Sequence, residues 1–279
     1  MKLFGKLFET SAPQPPSIPA GHRVYAIGDI HGRDDLLARM LVRVEDDCRA
    51  RGKARVVLVF LGDLIDRGPS SAQVLERLSQ YRPEGVRLVF LAGNHEEVML
   101  RALDGDTGVL PDWLRFGGAE CLASYGLEPP RLKGMAPAEA LREIRSAVPS
   151  SHVAFLRGFD DTFRAGDYLF VHAGIRPGIP LAQQSQADLR WIREPFLGDR
   201  AEHGFVVVHG HTIREEVEEH HNRIGIDTGA YRFGTLTALA LEGTDRWLLQ
   251  ARASHPESAT AGGNKQETSA LDRVSGQSG

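Results

Sequence analysis

Over residues 23–94 the chain alternates short apolar runs with amphipathic stretches. "RVYAIGD" reads as a strand, "DDLLARMLVRVEDDCRA" as a helix with apolar residues at helical spacing, "ARVVLVFLGD" as a strand and "SSAQVLERLSQY" as a helix; "GVRLVFLAGN" makes a third strand. This β-α-β-α-β succession predicts a parallel sheet with right-handed crossovers. Further on, "DYLFVHAG", "FVVVHGHT", "NRIGIDTGA", "GTLTALALEG" and "DRWLLQARA" follow at short spacing and predict a second, more antiparallel run of strands. Two sheets packed face to face with helices outside are the economical architecture for that order.

Residues from about 105 to 160 break the alternation. "WLRFGGAECLASYG" and "PAEALREIRSAVP" read as helical pieces punctuated by Gly and Pro, and so as an inserted cap. The ends differ again. Residues 1–9, "MKLFGKLFE", place Leu3, Phe4, Leu7 and Phe8 on one helical face and run into a Pro-rich linker reaching residue 22. So short a helix nucleates poorly, which favours a frayed tail over peripheral membrane or partner docking. Residues 254–279 are rich in Ser, Gly, Ala, Glu and Thr and read as a disordered tail. One domain, residues 23–253, remains between them.

Composition narrows the chemistry. With 279 residues, 42% of them apolar, the chain can bury a sizeable core. A net charge of −4 without a basic stripe argues against nucleic acid as a partner. An anionic substrate stays open, because a positive cleft or bound divalent cations can dominate the local field. The two cysteines, Cys48 and Cys121, form no C-x-x-C pair, which indicates neither a disulfide framework nor a thiolate metal site and suits a cytoplasmic setting. Apolar runs are strand-sized, short of the roughly 20 residues of a membrane helix, and no secretory signal pattern begins the chain.

The strand ends carry the candidate chemistry. They read "GDIHG", "GDLIDRGP", "GNHEE", "HAG" and "HGHT", each an Asp, Asn or His flanked by Gly. The first three recur at the length of a βαβ unit, so Asp29, Asp63 and Asn94 should emerge at the carboxyl edge of one sheet, where ligand sites of open α/β sheets lie. Asp29 and His31 stand two apart and project to one side if the strand stays extended. With His172 and His211 these make six oxygen or nitrogen donors and no sulfur, a set suited to two borderline divalent cations such as manganese, iron or zinc. Any one of them alone reads as a turn or capping residue; the conjunction does not. His209 and Asp227 read as structural, and Trp113 and Phe116 as core of the insert.

In order, these motifs resemble the signatures of the PPP-type metal-dependent serine/threonine protein phosphatases, most closely the bacterial and bacteriophage members, over about Val24 to Ala253. The resemblance implies the calcineurin-like metallophosphoesterase fold, an α/β/β/α sandwich of two sheets flanked by helices. It implies Asp29 and His31 on a first metal, Asn94, His172 and His211 on a second, and Asp63 bridging both, with manganese the expected ion. It also implies His95 as general acid, Asp66 as the carboxylate orienting it, and Arg67 as a phosphate clamp; "WIRE" adds Arg193 as a second phosphate-binding arginine. The expected activity is hydrolysis of phosphoserine and phosphothreonine in proteins, extending to phosphotyrosine or phosphorylated small molecules. Symmetrical dinucleoside tetraphosphate hydrolases look similar over the same motifs, but their second motif commonly lacks the aspartate found here as Asp66, and their third more often has Asp in place of Glu96. A third reading, a metal-loaded docking module without catalysis, conflicts with the intact His95, Asp66 and Arg67.

Overall fold

The computed structural model describes residues 14–132 and 134–253; the tail helix expected over residues 1–9 and the disorder expected over 254–279 lie outside the described residues. Three parallel strands open the fold: β1 (His22–Ile27), β2 (Arg55–Phe60) and β3 (Val86–Phe90), joined by α1 (Asp34–Arg51) and α2 (Ser71–Gln80). Their registers align Ile27 with Phe60 and Phe60 with Phe90, so the three carboxyl tips emerge level with one another. α3 (Asn94–Asp104) starts three residues past Leu91, at the tip of β3.

The insert follows as α4 (Leu110–Trp113), α5 (Ala119–Ser124), α6 (Pro129–Leu132), α7 (Pro137–Ala147) and α8 (Ser150–Leu156), with a π-helical turn, Leu114–Gly118, between α4 and α5. The second sheet holds β4 (Thr162–Ala165), β5 (Tyr168–Val171), β6 (Val206–His209), β7 (Glu218–Glu219) and β8 (Arg223–Gly225), and α9 (Gln186–Trp191) lies between β5 and β6 in sequence. After α10 (Ala230–Phe233), β9 (Thr235–Glu242) and β10 (Asp245–Arg252) return to the first sheet, whose order is β10-β9-β1-β2-β3.

Strand alternation sorts the core into layers. Val24 and Ala26 of β1 face Phe170, Val208 and Ile224 of the second sheet, whereas Tyr25 and Ile27 face Leu37, Met40 and Leu41 of α1. On the far side, Leu169, Val171 and Val207 pack against Leu189, Ile192 and Phe196. Helices therefore cover both outer faces of a two-sheet sandwich, the architecture expected from the element order. Ile18, within the expected linker, is buried in the inter-sheet layer and donates its amide to Gly243.

Two expectations need correction. β9 and β10 do not extend the second run of strands. β9 pairs antiparallel with β1, Val24 opposite Leu241, because it is buried along both faces and fills the free edge of β1. The second sheet is also parallel at its centre, where β6 pairs in parallel with both β5 and β8.

Candidate active site

Backbone contacts join the strand tips before any side chain takes part. The Ile30 and His31 amides donate to the Asp63 carbonyl at 3.1 and 2.8 Å, and the Gly32 amide donates to Leu64 at 2.8 Å. Glu96, in the first turn of α3, accepts from the amides of Asp63 and Leu64 at 2.8 Å each and from Gly93 at 2.9 Å, so one carboxylate ties the tips of β2 and β3. Asn94 and His95 sit at the amino end of α3 rather than on a strand, where the His95 amide donates to Asp63 Oδ1 at 3.1 Å and the helix dipole favours an anion.

His31 has φ of +46°, so the extended conformation that would align Asp29 with His31 does not persist. The two arrive by different routes. Asp29 accepts the His211 amide at 3.0 Å. The His31 ring presents Nδ1 to the Ile65 carbonyl at 2.8 Å, leaving Nε2 turned inward, 3.5 Å from Asp63 Oδ2.

His172 repeats the device. Its Nδ1 meets the Leu61 carbonyl at 2.8 Å, and Nε2 lies 3.0 Å from Asn94 Oδ1 and 3.4 Å from Asp63 Oδ1. His211 Nδ1 lies 2.9 Å from the same Asn94 oxygen, and its Nε2 is buried with no partner. A carbonyl that takes one ring N–H fixes the tautomer whose other nitrogen is a lone pair, the form that binds a cation.

Two donor groups result, His31 with Asp63 and His95, and Asp63 with His172 and His211; within each the ligand atoms lie within 4.8 Å of one another. Asp63 belongs to both, and Asp29 to neither. Charge points the same way. Burial pushes His31 and His172 below the usual imidazole range and His211 down to about 2, keeping all three neutral. Burial, Asp227 and Asp63 push the Asp29 carboxyl well up, and burial raises Asp227 to about 6 while its Oδ2 stays unpartnered. Crowded buried carboxylates beside neutral imidazoles and an orphaned ring nitrogen fit divalent cations.

His95 differs from the other rings. Burial alone would lower it, but the Asp63 and Asp66 carboxylates outweigh burial and raise it. Its Nδ1 is 2.6 Å from Asp66 Oδ2. Arg67, Asn94, His95, Trp191, Arg193 and His211 line one cavity of about 490 Å³, which brings both expected phosphate arginines to the tips. A larger hollow of about 720 Å³ beside α2 and α8 holds none of these groups. His209 stays outside both donor groups, its ring edge-on to Phe196 at 5.2 Å, and Asp227 accepts the Gly229 amide at 3.0 Å as a turn carboxylate.

Sequence reasoning left two contributors without a role. One is the Glu96 clasp. The other is Trp113, whose indole N–H donates to Asp66 Oδ2 at 3.0 Å. The adjacent Gly117-Gly118 pair within an amphipathic stretch was the available signal, since paired glycines inside a helix mark a close approach. A Cβ on Gly117 would lie 2.6 Å from the Arg67 amide nitrogen, and one on Gly118 2.7 Å from the Trp113 ring.

The calcineurin-like phosphoesterase profile matches residues 22–236, spanning every tip described. The chain is 28% identical over 237 residues to the asymmetrical bis(5'-nucleosyl)-tetraphosphatase PrpE of Anoxybacillus flavithermus, covering 76% of this chain and 88% of that protein. It is 30% identical over 230 residues to serine/threonine-protein phosphatase 1 of Salmonella typhimurium, covering 78% and 92% respectively. A solved structure provisionally assigned as a diadenosine tetraphosphatase superposes with a TM-score of 0.58 at 20% identity, over 86% of this chain and 100% of that one. These relatives differ in the phosphate compound their names specify. On the extent of the profile match, this chain belongs to the calcineurin-like phosphoesterase family and is a phosphoester hydrolase.

Proposed function

We propose that this hydrolase acts on phosphomonoesters with alkyl leaving groups, phosphoserine and phosphothreonine in proteins, at two divalent cations held by Asp29, His31, Asp63, Asn94, His172 and His211. The supporting observation is the His95–Asp66 pair at 2.6 Å, buried beside the aspartate common to both donor groups. A serine alkoxide leaves poorly without a proton, whereas a phosphoanhydride needs one far less. A dedicated proton donor is therefore most useful against alkyl esters.

The cation pair, expected as manganese from the resemblance in a donor set that also suits iron or zinc, supplies water activation and charge neutralisation when bound. The remaining work falls to side chains of the chain itself. Arg67 and Arg193 offer guanidinium forks to the phosphoryl oxygens, where charge grows as the ester bond breaks. His95 donates Nδ1–H to Asp66, and the Asp63 and Asp66 carboxylates favour its imidazolium form, so Nε2 carries the second proton and delivers it to the departing oxygen. The amino end of α3 adds a favourable field for the dianion.

The relative from Anoxybacillus flavithermus favours a second reading, hydrolysis of dinucleoside tetraphosphates. The deciding experiment compares kcat/KM for a phosphoserine peptide and for diadenosine tetraphosphate, at equal enzyme and manganese concentrations. Preference for the peptide is expected. Preference for the dinucleotide transfers the function to the second reading, and undiminished turnover after exhaustive chelation removes the cation pair from both.

A further inference from the structure

The insert reaches the proton donor through the Trp113 indole. Asp66 Oδ2 accepts from His95 Nδ1 at 2.6 Å and from Trp113 Nε1 at 3.0 Å, while Asp66 Oδ1 accepts no hydrogen bond. Trp113 is 2% exposed and Asp66 fully buried, so water does not replace either contact. Just beyond Trp113, the Gly117 carbonyl accepts the Arg67 amide at 3.1 Å, and Gly117 itself has φ of +122°. The segment Trp113–Gly118 thus grips both ends of the Asp66–Arg67 step, which stands in left-handed backbone at φ +70° and +66°.

Apolar packing explains why a large ring occupies this place in the core. It does not explain why the N–H meets the oxygen that holds His95. A carboxylate engaged through one oxygen is held more firmly when a second donor meets that oxygen from another direction, and a donor placed there fixes the carboxylate plane against the imidazole.

We propose that Trp113 is a positioning residue for the His95 proton donor, acting through Asp66, so that the inserted cap sets the geometry of proton delivery. The proposal rests on the general-acid reading of His95 above. Its signature is leaving-group dependence. A misoriented donor slows esters that need a proton and spares those that do not.

The test uses the full chain loaded with manganese, with Trp113→Phe and, as a ring-preserving variant without the N–H, 3-benzothienylalanine at position 113. Turnover is measured on a phosphoserine peptide and on 2,4-dinitrophenyl phosphate, alone and on a His95→Asn background. Each variant should lose about 10-fold in kcat on the peptide, stay within about twofold on the aryl ester, and lose nothing further once His95 is gone. The downfield proton of the His95–Asp66 hydrogen bond should also move upfield. Equal losses on both substrates, or a peptide loss that persists on the His95→Asn background, overturn the proposal and leave Trp113 a packing residue. If His95→Asn itself slows both substrates equally, the general-acid reading fails instead. If His95→Asn discriminates and the position-113 variants do not, the positioning role alone falls.

Discussion

The two edges of the sandwich make similar left-handed turns out of different residues. At the amino edge of the first sheet, Gly21, Gly52, Gly85 and Gly243 take φ between +55° and +78°, and a Cβ on any of them would meet nothing within 4 Å. At the carboxyl edge, beside Gly32 and Gly62 at φ +63° and +97°, positive φ is also taken by His31, Asp63, Asp66, Arg67 and His211, at +46° to +70°. These five are all the non-glycine residues with positive φ among the described residues. Each such residue costs on the order of 1–2 kcal/mol over an unstrained conformation. Glycine would turn the chain equally well, as the amino edge demonstrates. The strain is therefore retained for what the side chains do.

The comparison breaks most visibly if carboxyl-edge side chains prove to serve stability. His95→Asn should reduce kcat on a phosphoserine peptide by a factor of about 10² to 10⁴ with little change in melting temperature; a large loss of stability with intact turnover would reverse the assignment. Arg67→Gly should lower kcat by about 10²-fold while leaving stability unchanged or higher by up to about 1 kcal/mol, since it relieves a left-handed arginine. Unfolding in denaturant and steady-state kinetics on one preparation decide this. A glycine tightly surrounded at the carboxyl edge should behave unlike one in open space. A Cβ on Gly210 would collide with the Asp29 carboxylate, so Gly210→Ala should weaken manganese binding by about 10- to 100-fold, read by calorimetry. Gly52→Ala at the other edge, at φ +78° and ψ −159°, should cost about 1–3 kcal/mol of stability and leave kcat alone.

The smallest effect lies away from both edges. Burial pushes the Glu218 carboxyl up, but hydrogen bonds from Arg223 and His220 outweigh it and hold the group at about 2, against an ordinary 4.5. A depressed carboxylate contributes stability above its unfolded value, and that contribution is lost as pH falls from about 4.5 toward 2. Glu218 is about one-third exposed, so the loss should be on the order of 1 kcal/mol. The stability gap between Glu218→Gln and the parent should therefore close over that range; a gap independent of pH would place its origin elsewhere.

Much of this was legible in the sequence because strand tips are local. Asp29, Asp63, Asn94, His172 and His211 each follow an apolar run directly, and the βαβ spacing sets three of them side by side. The partner of a strand is not local. β9, with "TLTALALE" buried on both faces, carries no alternation to say which sheet it joins. Nor does spacing reveal Trp113, 47 residues from Asp66 in sequence, or the three amides that Glu96 collects. Such contacts depend on how loops fold back, which residue type and period do not encode.

One consequence of the Glu96 clasp concerns motion. Asp63, Leu64 and Gly93 release their amides to solvent only when the same carboxylate lets go, so their hydrogen exchange should share one opening free energy instead of three. The rim would then loosen as a latch does, wholly or not at all, and the residues gathered on either side of it would be lost and regained in a single event.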